Sequence, residues 1–392
     1  MKHNFDFIVD RKNTNSLKYD FGMERKQRDD LLPLWVADMD FKLPQVILDD
    51  IQVAVAHGIF GYSDTKKDYF HTLYQWFDQY YHFQPQAEWL IKTPGVVFAI
   101  ALAIKAFTKP KDAVMVQQPV YYPFAQTILA NHRTLVNNQL KYENGRYSID
   151  FEDFEQKVIE NKVKLFLLCS PHNPVGRVWT REELTRLGEI CIKHQVLIVS
   201  DEIHCDFTYP GHTHTIFASI NEEFARNSIL CTSPSKTFNL AGLQTSNIFI
   251  ANQDYRNKII QELNASGYSQ LNSLGLVACQ SAYKNGSLWL HELRQYLYDN
   301  LLFLRKYLQE NIPQIKLVEP EGTYLVWLDC SGLNLHYKEL EYLVTEKAKL
   351  WLDGGIIFGK QSAQFERINI ACPRVVLQQA LEQLSQAIKT IT

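Results

Sequence analysis

From about residue 90 to 252, short apolar runs exchange regularly with stretches of helical spacing, and this limits what the chain can fold into. The runs 113–117, 134–137, 164–169, 196–200, 228–232 and 246–251 are apolar along most of their length and do not alternate. A strand with one wet face alternates, whereas a strand covered on both faces does not need to. One crossover can be read residue by residue. After the run 164–169, Thr180 and Glu183 have capping-box spacing. Leu184, Leu187, Ile190 and Cys191 then share one helical face, and the run 196–200 follows. Strand, helix and strand in that order predict a βαβ unit, and hence a doubly wound, mainly parallel α/β sheet.

After residue 285 the period changes. Leu290, Leu293, Leu297, Leu301, Leu304 and Leu308 recur at three- and four-residue spacing, which predicts a long amphipathic helix ended by Pro313. A strand at 324–328, a helix near 338–351, a strand at 365–371 and a closing helix are expected beyond it. Together these predict a smaller α+β domain, 286–392, against which the loop-rich residues 1–45 pack. Residues 46–285 would form the larger domain. A length of 392 residues suits such a division, at roughly 150 residues per domain.

Composition removes other classes. Forty Lys and Arg against 43 Asp and Glu give a net charge of −3, with no basic stripe for nucleic acid. No apolar stretch is long enough to span a membrane, and the N-terminus is too polar for a signal peptide. Seven scattered cysteines without a CxxC pair argue against a disulfide framework and for a reducing, cytoplasmic setting. His212 and His214 form an HxH pair with no third metal ligand in view. Asp38 and Asp40 read as loop-ordering residues.

In open α/β sheets ligands collect beyond the carboxyl ends of the strands. At those ends stand Tyr121 and Tyr122, Asn173, Asp201 and Ser233-Pro234-Ser235-Lys236. A sheltered lysine can form a Schiff base with an aldehyde, and an aspartate can keep a pyridine nitrogen protonated. An aromatic ring can stack on a pyridine, and an asparagine amide can donate to a phenolate oxygen. Serine hydroxyls and the helix start at Gly95-Val96-Val97 can hold a phosphate. This set suits pyridoxal 5'-phosphate (PLP).

The ordered motifs SPHNPVGRVW (170–179), SDEIHCDF (200–207), SPSKTFNLAGL (233–243) and FERINIACP (365–373), with Tyr121, resemble fold-type I PLP enzymes of the class I/II aminotransferase superfamily. The resemblance runs through essentially the whole chain and implies a PLP-dependent transferase-like fold with a seven-stranded sheet. It also implies roles. Lys236 would be the Schiff-base lysine and Cα acid/base, Asp201 the pyridine-nitrogen partner, Asn173 the donor to the 3'-oxygen, and Tyr121 the stacking ring. Gly95, Val96, Val97, Ser233 and Ser235 would surround the phosphate, and Arg367 would clamp the substrate α-carboxylate. The backbone at Ala37 and the ring of Tyr122 would lie on the substrate side. Tyr62 would reach the neighbouring subunit's cofactor, making the active unit a homodimer.

Two positions depart from the aminotransferase pattern: His204, where a tyrosine is common, and Gln244, where an arginine is common. His204 is expected beside the cofactor. With PLWVADMDF (33–41) and GIFGYS (58–63), these departures resemble the MalY/PatB-type cystathionine β-lyase, or C–S lyase, branch. That branch implies α,β-elimination from cysteine S-conjugates to a thiol, pyruvate and ammonia. The alternatives are an aminotransferase of neutral or aromatic amino acids and a PLP-binding regulatory protein with vestigial activity.

Overall fold

The computed structural model describes residues 2–391. Its larger sheet contains β1 (Leu90–Thr93), β2 (Ala113–Val116), β3 (Thr134–Asn137), β4 (Leu165–Cys169), β5 (Leu197–Asp201), β6 (Ser228–Thr232) and β7 (Ser246–Phe249). The strand order is β1-β7-β6-β5-β4-β2-β3. The pairs among β2 to β6 are parallel, and β7 runs antiparallel to both of its neighbours. The reason is the link from Thr232 to Ser246, which holds only two short turns, at Pro234–Thr237 and Ala241–Leu243. A parallel return is usually carried by a crossover helix, and these two short turns do not supply one.

The lack of alternation has the expected cause. Val114, Val116, Leu165, Leu167 and Val199 pack on one face with Ile100 and Ala103 of helix α1 (Val96–Phe107). Met115, Phe166, Leu168 and Ile198 pack on the other face with Leu184, Leu187 and Cys191 of helix α2 (Arg181–Lys193). The capping box at the start of α2 is complete: the Glu183 amide donates to Thr180 Oγ1 at 3.2 Å, and the Thr180 amide donates to Glu183 Oε2 at 2.8 Å.

Helix α3 (Ser287–Asn311) buries all six leucines of its stripe. A second, antiparallel sheet follows, with β8 (Lys316–Val318), β9 (Leu325–Asp329), β10 (Asp353–Gly354) and β11 (Phe365–Asn369) in the order β8-β9-β11-β10. The expected helix over 338–351 is shorter. It runs through Tyr337–Tyr342 and Leu343–Lys347, and Leu350–Trp351 is instead a strand paired with Leu32–Pro33. Lys349, at φ 55°, breaks the helix and turns the chain toward that partner.

A strap from Val36 to Phe41 crosses from this region to the larger sheet. Asn369 Nδ2 donates to the carbonyls of Val36 and Asp38, both at 2.6 Å. The Asn239 amide pairs with both backbone groups of Met39 at 2.9 Å. Lys18, buried to 1% exposure, donates to Asp40 at 2.7 Å, and Arg11 spans Asp38 and Asp40. These carboxylates therefore order the strap.

Candidate active site

Beyond the carboxyl ends of β4, β5 and β6 lies a cavity of about 200 Å3. Each polar group reaches it for a local reason. Asp201 is the last residue of β5, so its side chain leaves the sheet where the strand stops. The amide of Ile203 donates to its Oδ1 at 3.2 Å. Lys236 lies in the turn after β6, which Ser233 caps by accepting from the Ser235 amide at 3.1 Å. Gly95 precedes the first turn of α1, so the amides of Val96 and Val97 face the cavity without helical acceptors.

The cavity is lined by Gly95, Val96, Val97, Tyr121, Asn173, Asp201, His204, Ser233, Ser235, Lys236, Gln244 and Ala37, all singled out from the sequence. Three of the expected residues lie outside this lining: Arg367, which stands beside it, Tyr122 and Tyr62. Tyr122 is half-buried with its ring edge-on to Phe358 at 5.9 Å, so Tyr121 alone of the pair meets the cavity. Tyr62 is 97% exposed, on the segment between the helices Gln45–Ala56 and Lys67–Tyr81.

Lys236 Nζ donates to the Ala37 carbonyl at 2.7 Å, and the Tyr324 hydroxyl donates to the same oxygen at 3.1 Å. Burial pulls the lysine down to about 8; Asp38 and Asp201 oppose the fall, and Arg367 adds to it. Burial pushes Asp201 up to about 7, against the Ile203 amide and Lys236. His204 is held well below the usual imidazole range by burial and by the charges of Lys236 and Arg367, so it is neutral. Its Nδ1 is buried and has no partner among the described residues.

Arg367 stands in the middle of β11, in register with Trp327 and Asp353. Its guanidinium pairs with Asp353, donates to the Trp35 carbonyl at 2.9 Å and donates to Asn173 Oδ1 at 3.0 Å. The contact with Asn173 joins the two sheets. It occupies the amide oxygen and leaves the Asn173 NH2 group free to donate elsewhere. Arg367 Nε is buried without an acceptor among the described residues, a donor with affinity still to use.

Sequence reasoning missed Asp353 and Tyr324. Asp353 is paired through strand register and Tyr324 through the strap, and neither lies in a motif. His214 Nε2 bonds Glu202 at 2.6 Å inside the core, which accounts for that histidine structurally. Among the described residues, no group of three or more His, Cys, Asp or Glu could hold a metal ion, and no helix is long and apolar enough to cross a membrane.

A buried lysine, a buried aspartate, an aromatic ring and a helix N-terminus around one cavity suit the site of a PLP-dependent enzyme of fold type I. The donor set fits the cofactor: an amine for its aldehyde, a carboxyl for its ring nitrogen and free amides for its phosphate. Residues 29–384 match the family described as aminotransferase class I and II, and the chain belongs to it.

Within that family the similarity is narrower. The chain is 40% identical to cystathionine beta-lyase PatB of Bacillus subtilis (strain 168) over 385 residues, covering 98% of this chain and 100% of the relative. It superposes on cystalysin from Treponema denticola, a structure that contains pyridoxal 5'-phosphate. There the TM-score is 0.97 at 37% identity, with full coverage of both chains. The PLP-bound C–S lyase from Staphylococcus hominis gives a TM-score of 0.91 at 33% identity over 98% of each chain.

Proposed function

We propose that the chain is a PLP-dependent carbon–sulfur β-lyase that converts cysteine S-conjugates such as cystathionine to a thiol (homocysteine from cystathionine), pyruvate and ammonia. The observation that carries the reading is the placement of Lys236 Nζ, 2.7 Å from the Ala37 carbonyl, in one cavity with Asp201 and Asn173. The similarity to named C–S lyases over nearly the whole chain narrows the chemistry.

When bound, PLP supplies an electron sink for the pair left at Cα. Everything else falls to the chain's own residues. Arg367 binds the α-carboxylate as a charged donor, with Nε–H still unspent. The Lys236 amine removes the Cα proton. With a pKa of about 8, a useful fraction of it is free base near neutrality. The Ala37 carbonyl, which also accepts from the Tyr324 hydroxyl, holds its Nζ at the strap. The Asp201 carboxylate would keep a proton at the ring nitrogen, Asn173 Nδ2 would donate to the 3'-oxygen and Tyr121 would cover the ring face. Val96, Val97 and Ser235 would meet the phosphate with N–H and O–H donors. Ser233 contributes by shaping the turn, because its hydroxyl donates to the Thr245 carbonyl at 2.7 Å. His204 stays neutral beside the ring, and Gln244 adds no charge at the phosphate.

In this reading residues 46–285 hold the cofactor, while 1–45 and 286–392 carry Arg367 and the strap to it. The active unit is a cytoplasmic homodimer in which Tyr62 crosses to the neighbouring site. The exposure of Ile59 (75%), Phe60 (61%) and Tyr62 (97%) supports a partner at this segment. The family match also admits an aminotransferase.

The test is a product assay with cystathionine. Stoichiometric pyruvate and free thiol without an added keto acid are expected, and Lys236→Ala should abolish both while the protein stays folded. Turnover that requires a keto acid and releases no thiol would favour the aminotransferase.

A further inference from the structure

A second cavity, of about 210 Å3, adjoins the arginine clamp, sharing Trp35 and Asp353 with the contacts of Arg367. Its walls are largely apolar, with Trp351, Val344, Leu352 and Ile356 among them. Its charges can be paired one by one. Lys26 Nζ bonds Glu341 Oε1 at 2.9 Å, and Asp353 is held by Arg367. Glu366 is left over. It is 4% exposed, lines the cavity, and its carboxyl has no hydrogen bond or ion pair among the described residues. Opposite it in register is Gly354, where even a Cβ would come within 3.6 Å of Glu366 Oε1. The missing side chain keeps the carboxyl open to the cavity.

A buried carboxyl without a partner is costly when charged. Burial pushes Glu366 up to about 8, with Asp353 and Glu341 adding to the rise and Lys26 opposing it. A single positive charge would complete the count, and the walls ask for an apolar body attached to it. Indole faces beside a carboxylate suit an ammonium group. A cavity of roughly 150 Å3 can hold benzene, so this one has room for a slightly larger ligand.

We propose that this cavity binds a small organic ammonium ion whose charge pairs with Glu366 and whose alkyl or aryl part lies against Trp351, Val344 and Leu352. The site is separate from the PLP cavity, and nothing in the elimination chemistry uses it. Its position against Asp353 places a bound ion behind the arginine clamp.

The test is calorimetric titration of the full-length protein, cofactor bound, with the N,N-dimethylbutylammonium ion. A tertiary amine cannot form an imine with an aldehyde, so no signal arises from imine exchange at the lysine, and the variants locate the binding. Saturable one-to-one binding is expected, weakened about tenfold or more by Glu366→Gln at unchanged cofactor content. Ile356→Trp, a change at a partly exposed wall residue, should block binding while leaving Glu366 in place, which keeps the test decisive if Glu366→Gln folds poorly. No saturable binding by the wild type, or equal affinity in the variants, would overturn the assignment.

Discussion

The strand-end cavity and the segment around Tyr62 are built on opposite terms. In and beside the cavity, charged and polar groups are buried and their orientations are set by neighbours: Lys236 by the Ala37 carbonyl, Asn173 by Arg367, and Arg367 by Asp353 and Trp35. On the segment, Ile59, Phe60 and Tyr62 are large, apolar or aromatic, and exposed. One region preorganises charge at a cost to the fold, and the other leaves apolar surface uncovered. Both are unfavourable for an isolated chain, and each would become favourable once something docks: a cofactor and substrate in the first and, in the proposed homodimer, a second subunit in the second.

The sharpest way to break the first half is Arg367→Ala. It removes a charged donor from the substrate and strands Asp353 in the core. A fall in kcat/KM worth about 2–4 kcal/mol is expected, measured by steady-state kinetics, and an unchanged value would refute the clamp.

A smaller effect tests the cost of preorganisation. Asp201 has a folded pKa of about 7, above its ordinary value, so the folded state binds the extra proton between the two. Stability of the cofactor-free protein therefore falls as pH rises toward 7, and the penalty is fully present above it. Asp201→Asn removes the titration. It should stabilise the cofactor-free protein at both pH values but more at pH 8 than at pH 5, the two gains differing by about 2–3 kcal/mol in thermal or denaturant unfolding. Equal gains at both pH values would show that the carboxyl is not the strained group.

The smallest effect addresses the other region. Tyr62→Ala should change the folding stability of the chain by less than about 0.5 kcal/mol, because the side chain touches nothing within it. Cofactor affinity should nevertheless fall, by about three- to tenfold, and only while the protein sedimentates as a dimer. Equal cofactor affinity in variant and wild type would remove Tyr62 from the neighbouring site.

Much of the site was legible because its residues follow strands. Asn173, Asp201 and Lys236 stand just past or at the end of apolar runs, and a parallel sheet sends all such ends to one edge. The helix start at Gly95 was readable for the same reason. The partners of these groups were not. Asp353 meets Arg367 only through the register of β10 and β11. Tyr324 meets Lys236 only because the strap brings the Ala37 carbonyl between them. The direction of β7 was also hidden, since the apolar run 246–251 reads the same whichever way it lies.

Local order, then, was settled by the chain's own text: which runs are strands, which faces are apolar, and which chemical groups sit at strand ends. Those are short-range matters of side-chain shape, period and capping. Pairing across distance was settled by tertiary structure alone: the Arg367–Asn173 bridge, the strap over Lys236 and the unpartnered Glu366 behind the clamp. Such contacts depend on strand register and on the packing of one sheet against another. A one-residue slip in either would turn these side chains to the opposite face, and no period in the sequence records the choice.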